Sequence, residues 1–160
     1  MEGFSADGYI IDQNHLSDYP YRGMTSDVNG CGWVAAYNLR HAMGQDVPFE
    51  AVQREMNAMF PLQIPGPTPM RVMRRYLRRS MTITQANGRK KALALALQVP
   101  WGILRYREEN VPHFITFLRL SEGCCRFFNV ADGQEDITMS MEVFFADHCR
   151  RGMVRVIAGK

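Results

Sequence analysis

Apolar residues fall at helical spacing along the first part of the chain and in short, near-alternating runs after residue 100. Between residues 31 and 44, Val34, Ala35, Asn38, Leu39 and Ala42 mark one helical face, and Gly44 supplies a stop. The spacing predicts a helix from about Cys31 to Met43, with Asn29 as its N-cap. A second helix is expected after Asp46 and Pro48, burying Phe49, Val52, Met56 and Phe60, until four prolines in "PLQIPGPTP" break it. Thr68 and Pro69 offer a cap and a first-turn proline for a third helix, "MRVMRRYLRR", and "RKKALALAL" reads as a short fourth. Residues 10 to 30, rich in Asp, Asn, Gly, Pro and Ser, read as an irregular loop leading into the first helix.

From Trp101 onward "WGILRYR", "HFITFLRL", "CCRFFNV" and "MVRVIA" read as strands, with a short helix near "SMEVFFADHC". The turns "REENVP" and "SEG" are too short for crossover helices, so successive strands pair antiparallel. Helices first and sheet afterwards give an α+β domain, with the helical part packed on the antiparallel sheet. At 160 residues, 46% apolar and 22% charged, the chain has material for a single domain spanning 1–160.

The net charge of +3 is well short of the dense basic clustering that marks a nucleic-acid binder, so no nucleic acid is expected. No run is long enough for a membrane span, and "MEGFSADGY" lacks the order of a secretory signal. A soluble protein of the cytoplasm, in a bacterium or a host cell, is therefore expected. In a reducing compartment Cys31, Cys124, Cys125 and Cys149 remain thiols.

The candidate chemistry centres on "NGCGWVAAYNLRHAMG". A cysteine in the first turn of a helix lies beside free backbone N–H groups and the positive end of the macrodipole, both of which favour thiolate. A glycine on each side would let a substrate carbonyl approach closely. "VPHFITFLRL" places His113 at the start of a strand, where a neutral imidazole can take the Cys31 proton while a third group holds its other nitrogen. If Ser121, Glu122 and Gly123 form a three-residue loop, Leu120 pairs with Cys124, Ile115 faces Asn129, and Asn129 lies diagonal to His113 on the same face. A loop of two or four residues would set Asp132 opposite His113 instead.

"GCGWVAAYNL", "GILRYREENVPHFITFLRL" and "FFNVADG" together resemble papain-like cysteine peptidases. Over about residues 20 to 135 they are closest to the peptidase domains of bacteriocin-processing ABC transporters and their stand-alone relatives. The resemblance implies a papain-like fold with Cys31 as nucleophile, His113 as general base and later acid, and Asn129 as the third residue. That residue is sixteen positions after the histidine, where the family ordinarily has Asp. It also implies a peptide or protein substrate, a thioacyl-enzyme, no cofactor, and tolerance of Asp at 129. Two positions depart from the family. Thr25 stands where a glutamine six residues before the cysteine donates to the oxyanion, and Gly30 replaces an acidic residue. Asn29 or Gln13 would have to supply the missing donor. An acyltransferase, a deamidase or a peptide-binding pseudo-peptidase is compatible with the same residues, and leader cleavage coupled to export would need a partner chain. Oligomeric state is not legible.

Other clusters have plainer readings. Cys124, Cys125, His148 and Cys149 lack paired Cys-x-x-Cys spacing, and adjacent strand residues face opposite ways, so no metal is expected. His15 and His41 read as loop and helix-surface residues. Arg71, Arg74, Arg75, Arg78 and Arg79, with Arg89, Lys90 and Lys91, read as a solvated helix face.

Overall fold

The computed structural model of the protein describes residues 1–131 and 136–160. Its helices are α1 (Ser26–Asn29), α2 (Cys31–Ala42), α3 (Phe49–Asn57), α4 (Met70–Leu77), α5 (Arg89–Ala96) and α6 (Met141–His148). Strands β1 (Pro20–Tyr21) and β2 (Met24–Thr25) form a small ribbon. β3 (Ile83–Asn87), β4 (Trp101–Glu108), β5 (Val111–Ser121), β6 (Cys124–Phe128), β7 (Asp136–Met139) and β8 (Arg155–Gly159) form one six-stranded sheet. The sheet order is β3-β8-β4-β5-β6-β7, and every pairing in it is antiparallel. The class is α+β, as the patterning predicts.

The sheet has helices on both faces, which the order of elements did not suggest. Alternation along the strands sorts the side chains. Ile103, Phe114 and Ile157 face α2, α3 and α4 in one core. Leu104, Tyr106, Ile115, Phe117, Phe127 and Val156 face α5 and α6 in a second. α2 is buried continuously from Cys31 to Leu39. Thr116 Oγ1 on β5 donates to the Ala35 carbonyl of α2 at 2.9 Å, so the helix is tied to the sheet as well as packed on it.

The hairpin of β5 and β6 keeps the expected register by an unexpected route. Thr116 pairs with Phe128 and Arg119 with Cys125, but Ser121 pairs with Cys124 across a bulge at Leu120. The turn is therefore Glu122–Gly123, with Gly123 at φ 74°. A two-residue turn alone would slip the pairing by one position, and the extra bulged residue restores it. Beyond the ladder this register sets His113 level with Ala131. Asp132, the alternative third residue, lies outside the described residues.

Asn29 does not cap α2. It ends α1, and Gly30, with helical φ −80° and ψ −10°, joins the two helices. The N-terminal arm is fixed to α2 by Asn38. Its Oδ1 accepts from Ile10 N at 2.9 Å, and its Nδ2 donates to Ile10 O at 2.8 Å. Tyr37 adds a hydrogen bond to Gly8 O at 2.9 Å.

Asn38 is fully buried, so truncating it leaves two main-chain groups of the arm without partners. Asn38→Ala is expected to cost about 2–4 kcal/mol in urea denaturation and to expose the first fifteen or so residues to limited proteolysis. Wild-type stability and protection in this variant would show that the arm is held elsewhere.

Candidate functional site

Cys31 opens α2 from within the first core and is 7% exposed. The groups that act on its sulfur are the His113 ring and the peptide N–H groups of Phe114 and Gly32. His113 is half-buried near the start of β5, paired across the hairpin with Tyr106. Its Nε2 donates to the main-chain carbonyl of Asn129 at 2.7 Å, which leaves Nδ1 for Cys31.

The electrostatics of the pair run in opposite directions. Burial is the largest influence on Cys31 and pushes the thiol up. The hydrogen bond and charge of His113, then the two peptide N–H groups, outweigh it and hold the thiol below its usual range. Burial is likewise the largest influence on His113 and pulls it down. Cys31, the Asn129 carbonyl and the charge of Glu108 outweigh that and hold the imidazole above its usual range. Neither charge is favourable in this setting alone, so the two groups ionise as a couple. The other buried thiols behave oppositely: burial raises Cys125 and pushes Cys149 up to about 12.

Asn129 joins this site through its backbone. Its side chain points away from the ring toward Gln13: Oδ1 accepts from Gln13 N at 3.0 Å, and Nδ2 donates to Gln13 Oε1 at 2.9 Å. Gln13 Nε2 then donates to the carbonyls of Asp27 at 2.9 Å and Ser26 at 3.4 Å. The end of β6 is thereby strapped, through one glutamine, to the helical turn that leads into Cys31. Asn129 also takes φ 62°, a left-handed conformation that asparagine tolerates better than most residues. An Asp at 129 would set a carboxylate oxygen against Gln13 Oε1, so the exchange is not neutral here.

The two nominated oxyanion donors are placed differently. Gln13 has its amide committed to α1. Asn29 is buried, and its Nδ2 has no hydrogen-bond partner. The glycines beside Cys31 give no room for a substrate. A Cβ on Gly32 would come within 2.1 Å of Thr68 Oγ1, and one on Gly30 within 2.4 Å of the Ser26 carbonyl oxygen. They permit close internal packing. Thr68 is buried against α2 and bonded to the Tyr21 hydroxyl at 2.9 Å, while Pro69 is the cap of α4.

Open space meets the pair at the imidazole. A cavity of about 410 Å³ is lined by His113 and Asn129 together with Asp12, Gln13, Glu108 and Val111. Glu108 and the Gln13 strap carry no recognisable motif. Among the described residues no group of three or more His, Cys, Asp or Glu could share a metal ion, and no helix is long and apolar enough to cross a membrane. Arg71, Arg75, Arg78 and Arg79 are exposed along and just beyond α4. By sequence, no family model and no curated protein matches the chain.

Two outcomes follow from this geometry. At pH 6 Cys31 should react with iodoacetamide at least ~10-fold faster than Cys125 or Cys149, as read by mass spectrometry of the native protein. His113→Gln removes the largest influence that lowers the thiol and leaves burial opposed only by the two peptide N–H groups, so Cys31 should then titrate higher and lose that reactivity at pH 6. Equal rates for the buried thiols would remove the basis for a special Cys31.

The strap predicts non-additivity. Asn129→Gly preserves the φ and the carbonyl, so its effect on Cys31 reactivity should match that of Gln13→Ala, and the double variant should lose little more than either single one. An Asn129→Gly loss far beyond that of Gln13→Ala would place the Asn129 side chain directly on the imidazole.

Proposed function

We propose that the protein is a papain-like cysteine peptidase that hydrolyses a peptide or isopeptide bond through a thioacyl-enzyme. The observation that carries this reading is the placement of Cys31 at the buried start of α2 with the His113 imidazole, held from behind by the Asn129 carbonyl at 2.7 Å, as the group that draws the thiol down while being drawn up itself. That is the electrostatic condition for a thiolate nucleophile facing an imidazolium acid. The matching segments around Cys31, His113 and Asn129 support the same reading.

In this mechanism the Cys31 thiolate attacks the scissile carbonyl, and the C=O electrons move onto oxygen to give a tetrahedral oxyanion. As that oxyanion collapses, the C–N bond breaks and the leaving amine takes the imidazolium proton from His113. The thioester is then attacked by a water whose proton passes to neutral His113. Collapse of the second tetrahedral species releases the acid and returns the thiolate–imidazolium pair. Asn129 holds the ring from behind through its carbonyl, so the same Nδ1 both gives and takes the proton. If an amine replaces the water, the same thioester yields acyl transfer.

A peptide aldehyde tests the reading. The wild-type protein should form a reversible hemithioacetal at Cys31, detectable by intact mass. Cys31→Ala should keep the fold and peptide binding yet lose adduct and turnover by orders of magnitude. Tight peptide binding by the wild-type protein with neither adduct nor cleavage products across a broad peptide library would overturn it in favour of a pseudo-peptidase.

A further inference from the structure

His113 faces the second core as well as Cys31. Tyr106 pairs with His113 across the β4–β5 hairpin, and Glu108 pairs with Val111 two positions nearer the turn. Residues two apart on a strand share a face, so Tyr106, Glu108 and His113 all project to one side, with Glu108 diagonal to the imidazole. The two-residue turn Glu109–Asn110, with Glu109 at φ 51°, fixes that placement. Glu108 lines the same cavity as His113. Its Oε2 is buried without a hydrogen bond, and His148 Nδ1 of α6 lies 3.9 Å away. The Tyr106 ring meets both histidines edge-on, at centroid distances of 5.9 Å to His113 and 6.2 Å to His148. Its buried hydroxyl is also without a hydrogen bond of ordinary geometry. A carboxylate oxygen out of water with no donor of its own is costly unless a positive charge faces it.

Resting on the peptidase reading, we propose that Glu108 is a positioning residue that supplies the negative charge supporting the His113 imidazolium once Cys31 is no longer a thiolate. The need arises from charge balance. In the resting pair the imidazolium faces a thiolate. When the sulfur forms its bond to the carbonyl carbon, that negative charge moves to the oxyanion, and after the amine leaves the sulfur is a neutral thioester. The Asn129 carbonyl contributes a dipole and no charge. Among the described residues the other groups around the ring do not substitute. Tyr106 is held protonated by burial and by Glu108. Arg105 on β4 is a cation, as is Arg89 on α5, which bonds the Phe145 carbonyl. Cys149, after α6, is a buried thiol pushed up to about 12. Asp12, which lines the cavity, accepts from Asn14 N and faces His15, and Glu109, which lines it too, is exposed at the turn. Glu108 alone combines a charge, the right face of the hairpin and an uncommitted oxygen.

The test reads His113 by NMR titration of its ring C–H, in the unmodified protein and after iodoacetamide has converted Cys31 to a neutral thioether. In the alkylated form Glu108→Gln should lower the His113 midpoint by about 0.5–1 unit, with a smaller fall in the unmodified protein where the thiolate still contributes. Glu108→Asp should recover most of the difference, which separates loss of charge from loss of packing. Glu109→Gln should leave the midpoint in place, and His148→Gln should not lower it, because Glu108 loses a competing neighbour. A midpoint unmoved by Glu108→Gln, or moved equally by Glu109→Gln, would overturn the proposal while leaving the Cys31–His113 pair intact. A wild-type Cys31 that iodoacetamide does not modify ahead of the other buried thiols would instead sink the peptidase reading, and the proposal with it.

Discussion

The enclosure of α2 is the constraint on which the rest of the structure depends. From Cys31 to Leu39 no residue of this helix is left to solvent, so an element of about three turns must be covered on all sides. The sheet covers one side through Phe114 and Ile103, α3 and α4 cover others, and the N-terminal arm closes the last through Ile10 and Tyr9. Thr68 can close over the first turn only because Gly32 has no side chain. The helix start is therefore buried before any chemistry is considered, and a thiol placed there experiences burial as its largest perturbation.

That burial makes the partnership with His113 consequential. A lone thiolate or a lone imidazolium at this depth would be disfavoured, so each charge is stable only against the other. Keeping the two groups in register requires that the hairpin and the start of α2 hold still relative to each other. The Asn129–Gln13–α1 strap does this with neutral hydrogen bonds spanning residues far apart in the chain. The mechanical and electrostatic parts of the site are separate: Gln13 and the Asn129 side chain set position, while Cys31, His113 and Glu108 set charge.

What could be read from the chain follows from how local each feature is. α2, an apolar run between Asn29 and Gly44, and the hairpin strands, which alternate, were legible in position. β3 and β7 were not, because "ITQAN" and "DITM" are short, half-polar edge strands, and the partner of β3, β8, lies at the other end of the sequence. The register that brings Asn129 beside His113 was legible from Gly123 and the strand pattern, although the bulge at Leu120 was not, since bulging leaves no residue signature there. The contact between the Asn129 carbonyl and His113 could not be read at all, because every residue type carries the same carbonyl. The pairing of Gln13 with Asn129 joins an irregular loop to a strand end, and no local rule anticipates it.

The Gly-Cys-Gly segment shows why a motif and a mechanism have to be argued separately. On paper the flanking glycines suggest room for a substrate; in the folded chain that room is taken by Ser26 and Thr68. A glycine records that something approaches the backbone closely, without saying whether the approach is made by a ligand or by the protein itself. The cysteine between them is distinguished from Cys125 and Cys149 by the company of one imidazole, since all three are buried and only Cys31 is drawn down. The functional reading therefore rests on the packing of α2 against β5, the contact that sets residue 113 to act on residue 31. That contact exists because the sheet must bury the helix, and because the imidazole is held from behind at a strand end where the ladder has already stopped.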